Sequence, residues 1–158
     1  MITIITGKTK SGKTSKMVEL YNQNHLGDGF VIPRVYKNNK LYGYEIIRLS
    51  SNAATPFKVH DSQYQFEGMY NKEFAGFRIN GTVYDDVLKD IKVMIKNKIS
   101  PIYLDGLGDL ELLKKGFDSC LLTLLKSHSD FIISCPDTLV RKFILHYRLK
   151  DYKIIGIK

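Results

Sequence analysis

Residues 7–14 read G-K-T-K-S-G-K-T, and no other stretch limits the fold so tightly. The fixed positions fit G-x-x-x-x-G-K-[ST] throughout. Gly7 and Gly12 let the backbone curl so that successive N–H groups point inward. Lys13 adds a compact cation and Thr14 a hydroxyl. The β-rich run Met1 to Thr6 precedes the turn, and Met17, Val18, Leu20 and Tyr21 follow it at helical spacing. Strand, glycine turn and helix in that order form a cradle for a phosphate chain, with the helix dipole adding its positive end. A Gly-rich turn with surface lysines is the plainer alternative, and the strand-to-helix context weighs against it. The sequence therefore assigns phosphate binding to Gly7, Lys8, Thr9, Lys10, Ser11, Gly12, Lys13, Thr14 and Ser15. Lys13 would stabilise the β- and γ-phosphates, and Thr14 would offer its hydroxyl to Mg²⁺.

The rest of the chain supplies strands and helices in alternation. FVIPRVY and LYGYEIIRL flank KNNK, where Asn38 and Asn39 suit a tight turn, so a hairpin is expected. Pro33 cannot donate a ladder hydrogen bond, which places that hairpin at a sheet edge. Residues 50–72 are polar and weakly patterned, a loop with a short strand near Phe57, and Phe74 to Ile79 is a further strand. Val83, Val87, Leu88, Ile91 and Ile95 predict a helix over 82–97, with Thr82 as its cap. Strands are expected at 101–105, 130–135 and 152–157, and helices at 112–126 and 138–149. This order predicts an α/β phosphate-loop fold: a mainly parallel sheet flanked by helices, with an antiparallel edge hairpin, in one domain over 1–158.

Composition narrows the function classes. Hydrophobic content of 44% and charged content of 25% describe an ordinary folded chain. No apolar run approaches the ~20 residues that cross a bilayer, and the N-terminus lacks the features of a signal peptide. A cytoplasmic protein without a membrane partner is the expectation. The net charge of +8 invites a nucleic-acid reading, but the lysines are spread along the chain and several surround the phosphate motif. That spread argues against specific nucleic-acid binding. Cys120 and Cys135 form no disulfide framework, and His25, His60, His128 and His146 are scattered.

A magnesium site needs a second element. IYLD, residues 102–105, is an apolar strand ending in a carboxylate at the edge where ligands gather in open α/β sheets. Asp105 is thus the second Mg²⁺ candidate beside Thr14.

Three blocks now resemble a known family, the small nucleoside-triphosphatases first characterised from thermophiles, whose animal relatives are called cancer-related nucleoside-triphosphatases. They are IITGKTKSGKT, GFVIPRVYKNNKLYGYEI and LDGLGDLEL, and the likeness runs in order over roughly residues 1–135. The second is similar to the family's Gly-Phe, Val, basic turn and Gly-aromatic-x-Ile at the same spacing. In the third, Asp105, Gly108, Glu111 and Leu112 match. The resemblance implies Mg²⁺-dependent hydrolysis of ATP, GTP and related triphosphates with slow turnover. Three positions depart from the family: Gly106 stands for a glutamate, Asp109 for a lysine and Arg34 for an acidic residue. The absent glutamate is the group that would orient and deprotonate the attacking water.

Asp109 and Glu111 are the weak candidates to replace it, although the first turn of a helix explains both equally simply. Arg141 and Arg148, seven apart, could share a helix face and clamp a transferred phosphate. The expectation is Mg²⁺-dependent binding of ATP or GTP with slow or impaired hydrolysis. One alternative is a small nucleotide or metabolite kinase with an acceptor pocket built from residues 50–80, including Tyr64, Tyr70 and Arg78. The other is a non-hydrolysing nucleotide-dependent switch. No motif selects the base or identifies a protein partner.

Overall fold

Strand β1 (Ile2–Gly7) is buried along its whole length because strands cover both of its edges and side chains cover both of its faces. β10 (Tyr152–Ile157) pairs with it on one side and β9 (Phe131–Pro136) on the other, both in parallel. The parallel set continues through β8 (Ile102–Leu104) to β2 (Asp28–Val31). The computed structural model describes residues 1–63 and 68–158, and among these a single mixed sheet runs β10-β1-β9-β8-β2 before turning antiparallel. The antiparallel half comprises β4 (Lys40–Arg48), β5 (Ala54–His60), β7 (Phe77–Ile79) and β6 (Lys72–Phe74), in that spatial order. Among the described residues β3 (Arg34–Lys37) pairs only with β4.

Alternation along the strands sorts the core into two layers. Ile4, Phe30, Ile102, Leu104, Phe131 and Ile133 face one way. There they meet α2 (Thr82–Lys96), α4 (Asp118–Ser127) and α5 (Val140–Tyr147) through residues such as Ile91, Leu121 and Phe143. Their neighbours Ile5, Val31, Tyr103 and Ile132 face the other way and pack with Met17 of α1 (Lys13–Asn24). One further turn of helix, α3 (Asp109–Leu112), follows the β8 edge. Cys120 and Cys135 are buried packing residues of the larger layer. Among the described residues no helix is long and apolar enough to cross a membrane.

The structure redraws several expected elements. FVIPRVY is two strands rather than one. β2 enters the interior of the sheet, the chain breaks at Ile32 and Pro33, and only β3 forms the free arm of the hairpin. Proline's missing N–H and the Pro33 carbonyl, which accepts from Glu45 N at 3.2 Å, fit that break. The short strand expected near Phe57 is the longer, seven-residue β5, and Phe74 to Ile79 is a hairpin turning at Ala75 and Gly76. The helix expected over 112–126 is interrupted between α3 and α4.

Candidate functional site

The carboxyl ends of β1, β8 and β9 lie side by side because the strands are parallel, and this edge gathers the site. β1 delivers the chain into the loop 8–12, where Ser11 N donates to Lys8 O at 3.0 Å and Lys16 N to Gly12 O at 2.9 Å. Gly12 has φ 98°, a left-handed conformation that side chains rarely tolerate, and α1 starts at the next residue. The Lys13 ammonium folds back along the loop, donating to Gly7 O at 3.1 Å and Lys8 O at 2.8 Å. Burial lowers its pKa, the Asp105 carboxylate opposes that shift, and the Arg34 guanidinium adds to it.

Thr14 Oγ1 donates to Asp105 Oδ2 at 2.6 Å across 91 residues of sequence. The structure thus brings the two metal candidates together beside Lys13. Asp105 is buried, and Ile32 N also donates to its Oδ2 at 2.9 Å. Ser134 Oγ donates a short hydrogen bond to Oδ1 and accepts one from Gly106 N at 2.8 Å. Ser134 escaped the sequence reading. Its signal was a polar side chain inside the otherwise apolar run FIISC.

The segment after Asp105 answers what becomes of the candidate bases. Gly106 is exposed at φ 77°. Asp109 is the exposed first residue of α3, on the cavity rim. Glu111 is buried with each carboxylate oxygen occupied by backbone: Gly108 N donates at 2.6 Å and Phe117 N at 2.9 Å. Burial pushes its pKa up, while those N–H bonds and the Lys58 charge oppose the rise. Glu111 is therefore an anchor for the chain between β8 and α4, and the weaker base candidate of the two. Glu111→Ala should destabilise the fold by about 2–4 kcal/mol, because two buried N–H groups lose their acceptor. Thermal unfolding should register roughly 5–15 °C; an unchanged melting temperature would contradict the anchoring role.

A cavity of about 670 Å³ opens on this edge, within the range typical of small-molecule sites. The phosphate loop, Asp105 and Gly106 line one end, and Arg34, Tyr44, Lys58, Phe77, Tyr84 and Phe117 extend it past them. The kinase residues named from sequence lie elsewhere. Tyr64 is outside the described residues, Tyr70 is buried off the cavity, and Arg78 pairs with Asp61 at 3.4 Å and Glu73 at 3.0 Å. Arg141 and Arg148 are exposed and do not line it. Arg148 has left the helix at φ 52°, so the two share no helix face.

A mixed sheet with a phosphate loop after its first strand and a carboxylate after a strand two places away defines the phosphate-loop NTPase fold. The chain belongs to the NTPase family, whose model, described as "NTPase", matches residues 2–158. Among solved structures it is similar to THEP1 from the hyperthermophile Aquifex aeolicus, with 18% identity and a TM-score of 0.72 over 100% of this chain and 90% of that one. It is also similar to a human cancer-related nucleoside triphosphatase, with 15% identity and a TM-score of 0.64 over 99% and 88% of the two chains. The curated proteins contain no match. Family membership supports nucleotide binding and makes hydrolysis the reaction to consider.

Proposed function

We propose that residues 1–158 act as one domain that binds ATP or GTP as the Mg²⁺ complex and hydrolyses it slowly. The observation that carries this reading is the Thr14–Asp105 hydrogen bond of 2.6 Å beside Lys13 in the phosphate loop. These two hard oxygen donors fit Mg²⁺, which takes few protein ligands and completes its shell with water and substrate phosphates. No group of three or more His, Cys, Asp or Glu among the described residues offers an all-protein cage. When bound, Mg²⁺ neutralises charge on the β- and γ-phosphates.

The chain's own residues do the rest. Loop N–H groups donate to phosphate oxygens, and Lys13 exchanges its carbonyl partners for the same oxygens. Ile32 N and Ser134 fix the rotation of the Asp105 carboxylate, so it cannot turn away from Thr14. At Gly106 there is no side chain to orient and deprotonate water, which is why turnover is slow.

Asp105→Asn separates metal from nucleotide. The amide oxygen can face Thr14 and Ile32 while its NH₂ meets Ser134 Oγ, so the fold tolerates the change. Calorimetric affinity without metal should stay nearly constant, and the Mg²⁺-dependent gain should fall about 10-fold, the low end for contacts to a charged group. Equal loss with and without Mg²⁺ would make Asp105 purely structural. A second reading, phosphoryl transfer to an acceptor, is favoured by one observation, the continuation of the cavity beyond Gly106.

A further inference from the structure

Three residues stand in one cross-strand row along the cavity wall. Arg34 of β3 is in register with Tyr44 of β4, and Tyr44 with Lys58 of β5, so the three side chains share a face of the sheet. Arg34 Nε lies 3.5 Å from Tyr44 Oη at the phosphate-loop end. Lys58 Nζ sits at the other end, 5.9 Å from the Tyr44 ring and 5.1 Å from the Phe57 ring. No hydrogen bond or ion pair holds Lys58 among the described residues. Lys58 is partly buried, and burial depresses its pKa against the opposing Glu111 charge, so its ammonium faces the two rings in place of an anionic partner. Paired aromatic rings line the same cavity: Tyr44 packs edge-on to Phe77 at 5.4 Å, and Tyr84 on Phe117 at 4.8 Å.

The place of this chamber in the reaction follows from the phosphate loop. Lys13, Thr14 and Asp105 mark the γ end of a bound triphosphate, so the space beyond Gly106 is where an attacking group would approach γ-phosphorus. We propose that the chamber binds a nucleoside monophosphate and that the protein transfers the γ-phosphoryl group of its bound triphosphate to it. This inference rests on the triphosphate-binding reading above.

Three features select that acceptor class. Flat rings suit the aromatic walls, since stacking accepts any base. Arg34 and Lys58 offset the charge of a phosphomonoester. The third is the missing base. A hydroxyl acceptor must surrender a proton, whereas a phosphomonoester with a second pKa near 6 is already a dianion at neutral pH. Its oxygen forms the bond to γ-phosphorus as the bond to the β,γ-bridging oxygen breaks. The electron pair leaves on the diphosphate product, and no proton need be taken from the acceptor. Gly106 is compatible with this reaction as it is not with efficient hydrolysis.

The test uses the full chain with Mg²⁺, ATP and isotope-labelled AMP, GMP, CMP or UMP in turn, with calorimetric titration of Mg-ATP on the same preparation. At least one monophosphate should become its labelled diphosphate, raising ADP formation about 10-fold or more through the proximity of the two phosphates. Lys58→Met should raise the KM for that acceptor about 10-fold or more, the effect of losing a charged contact. If Mg-ATP binds and none of the four yields a diphosphate, the acceptor site is wrong and the triphosphatase reading stands. An unchanged KM in folded Lys58→Met overturns the site equally. If Mg-ATP itself does not bind, both readings fall together.

Discussion

Lys13→Ala weakens binding of Mg-ATP or Mg-GTP by about 1.5–3 kcal/mol, roughly 10- to 150-fold, the range for hydrogen bonds to charged groups. The ammonium that would meet the β- and γ-phosphates disappears, whereas its bonds to Gly7 O at 3.1 Å and Lys8 O at 2.8 Å are given up on binding and add nothing to the loss. Lys13 is only partly buried at the start of α1, so truncation leaves the core intact, and circular dichroism should show a wild-type fold. Titration calorimetry measures the effect. Unchanged affinity in a folded variant would remove the phosphate loop from nucleotide binding.

Gly106→Glu restores the residue that related triphosphatases carry, and it should raise phosphate release at least about 10-fold over Gly106→Ala. That is a cautious fraction of the 10²–10⁴-fold contribution of a positioned general base. The alanine variant is the proper reference. At φ 77° any side chain is strained by about 1–2 kcal/mol. Its Cβ would also stand 3.1 Å from Ile32 Cδ1, the movable tip of a side chain. Both variants share these costs, so their ratio isolates the carboxylate. Phosphate release under saturating Mg-ATP reads it out, with melting temperature and nucleotide affinity checked in each. If the folded, nucleotide-binding glutamate variant does not outpace alanine, the proposal that a missing base limits turnover is wrong.

What could be read from sequence alone divides by range. The phosphate loop was legible because one contiguous stretch carries its strand, glycines, lysine and helix. Asp105 was legible because a short apolar strand ends on it. Ser134 was not: its bond to Asp105 spans 29 residues, and nothing local to FIISC points to that partner. The wall of Arg34, Tyr44 and Lys58 depends on pairing three strands in register, so from sequence Arg34 was only a departure from a family pattern and Lys58 went unnoticed. β5 was legible only around Phe57, because its first three residues are exposed and only Phe57 and Val59 are buried. The break between α3 and α4 falls on Lys114, Lys115 and Gly116, between the apolar Leu113 and Phe117, and the Glu111 carboxylate holds Gly108 and Phe117 in a turn that apolar periodicity does not reveal.

Steady-state phosphate release from a panel of ATP, GTP, CTP and UTP with Mg²⁺, with no acceptor present, bears most directly on a phosphate loop that binds triphosphates but lacks a positioned base. Unassisted phosphate-loop switches turn over at roughly 10⁻⁴–10⁻² per second, and this protein should fall near or below the upper end. Turnover above about 1 per second, beyond the range of such unassisted sites, would contradict it and return Asp109, on the rim beside Gly106, as the working carboxylate.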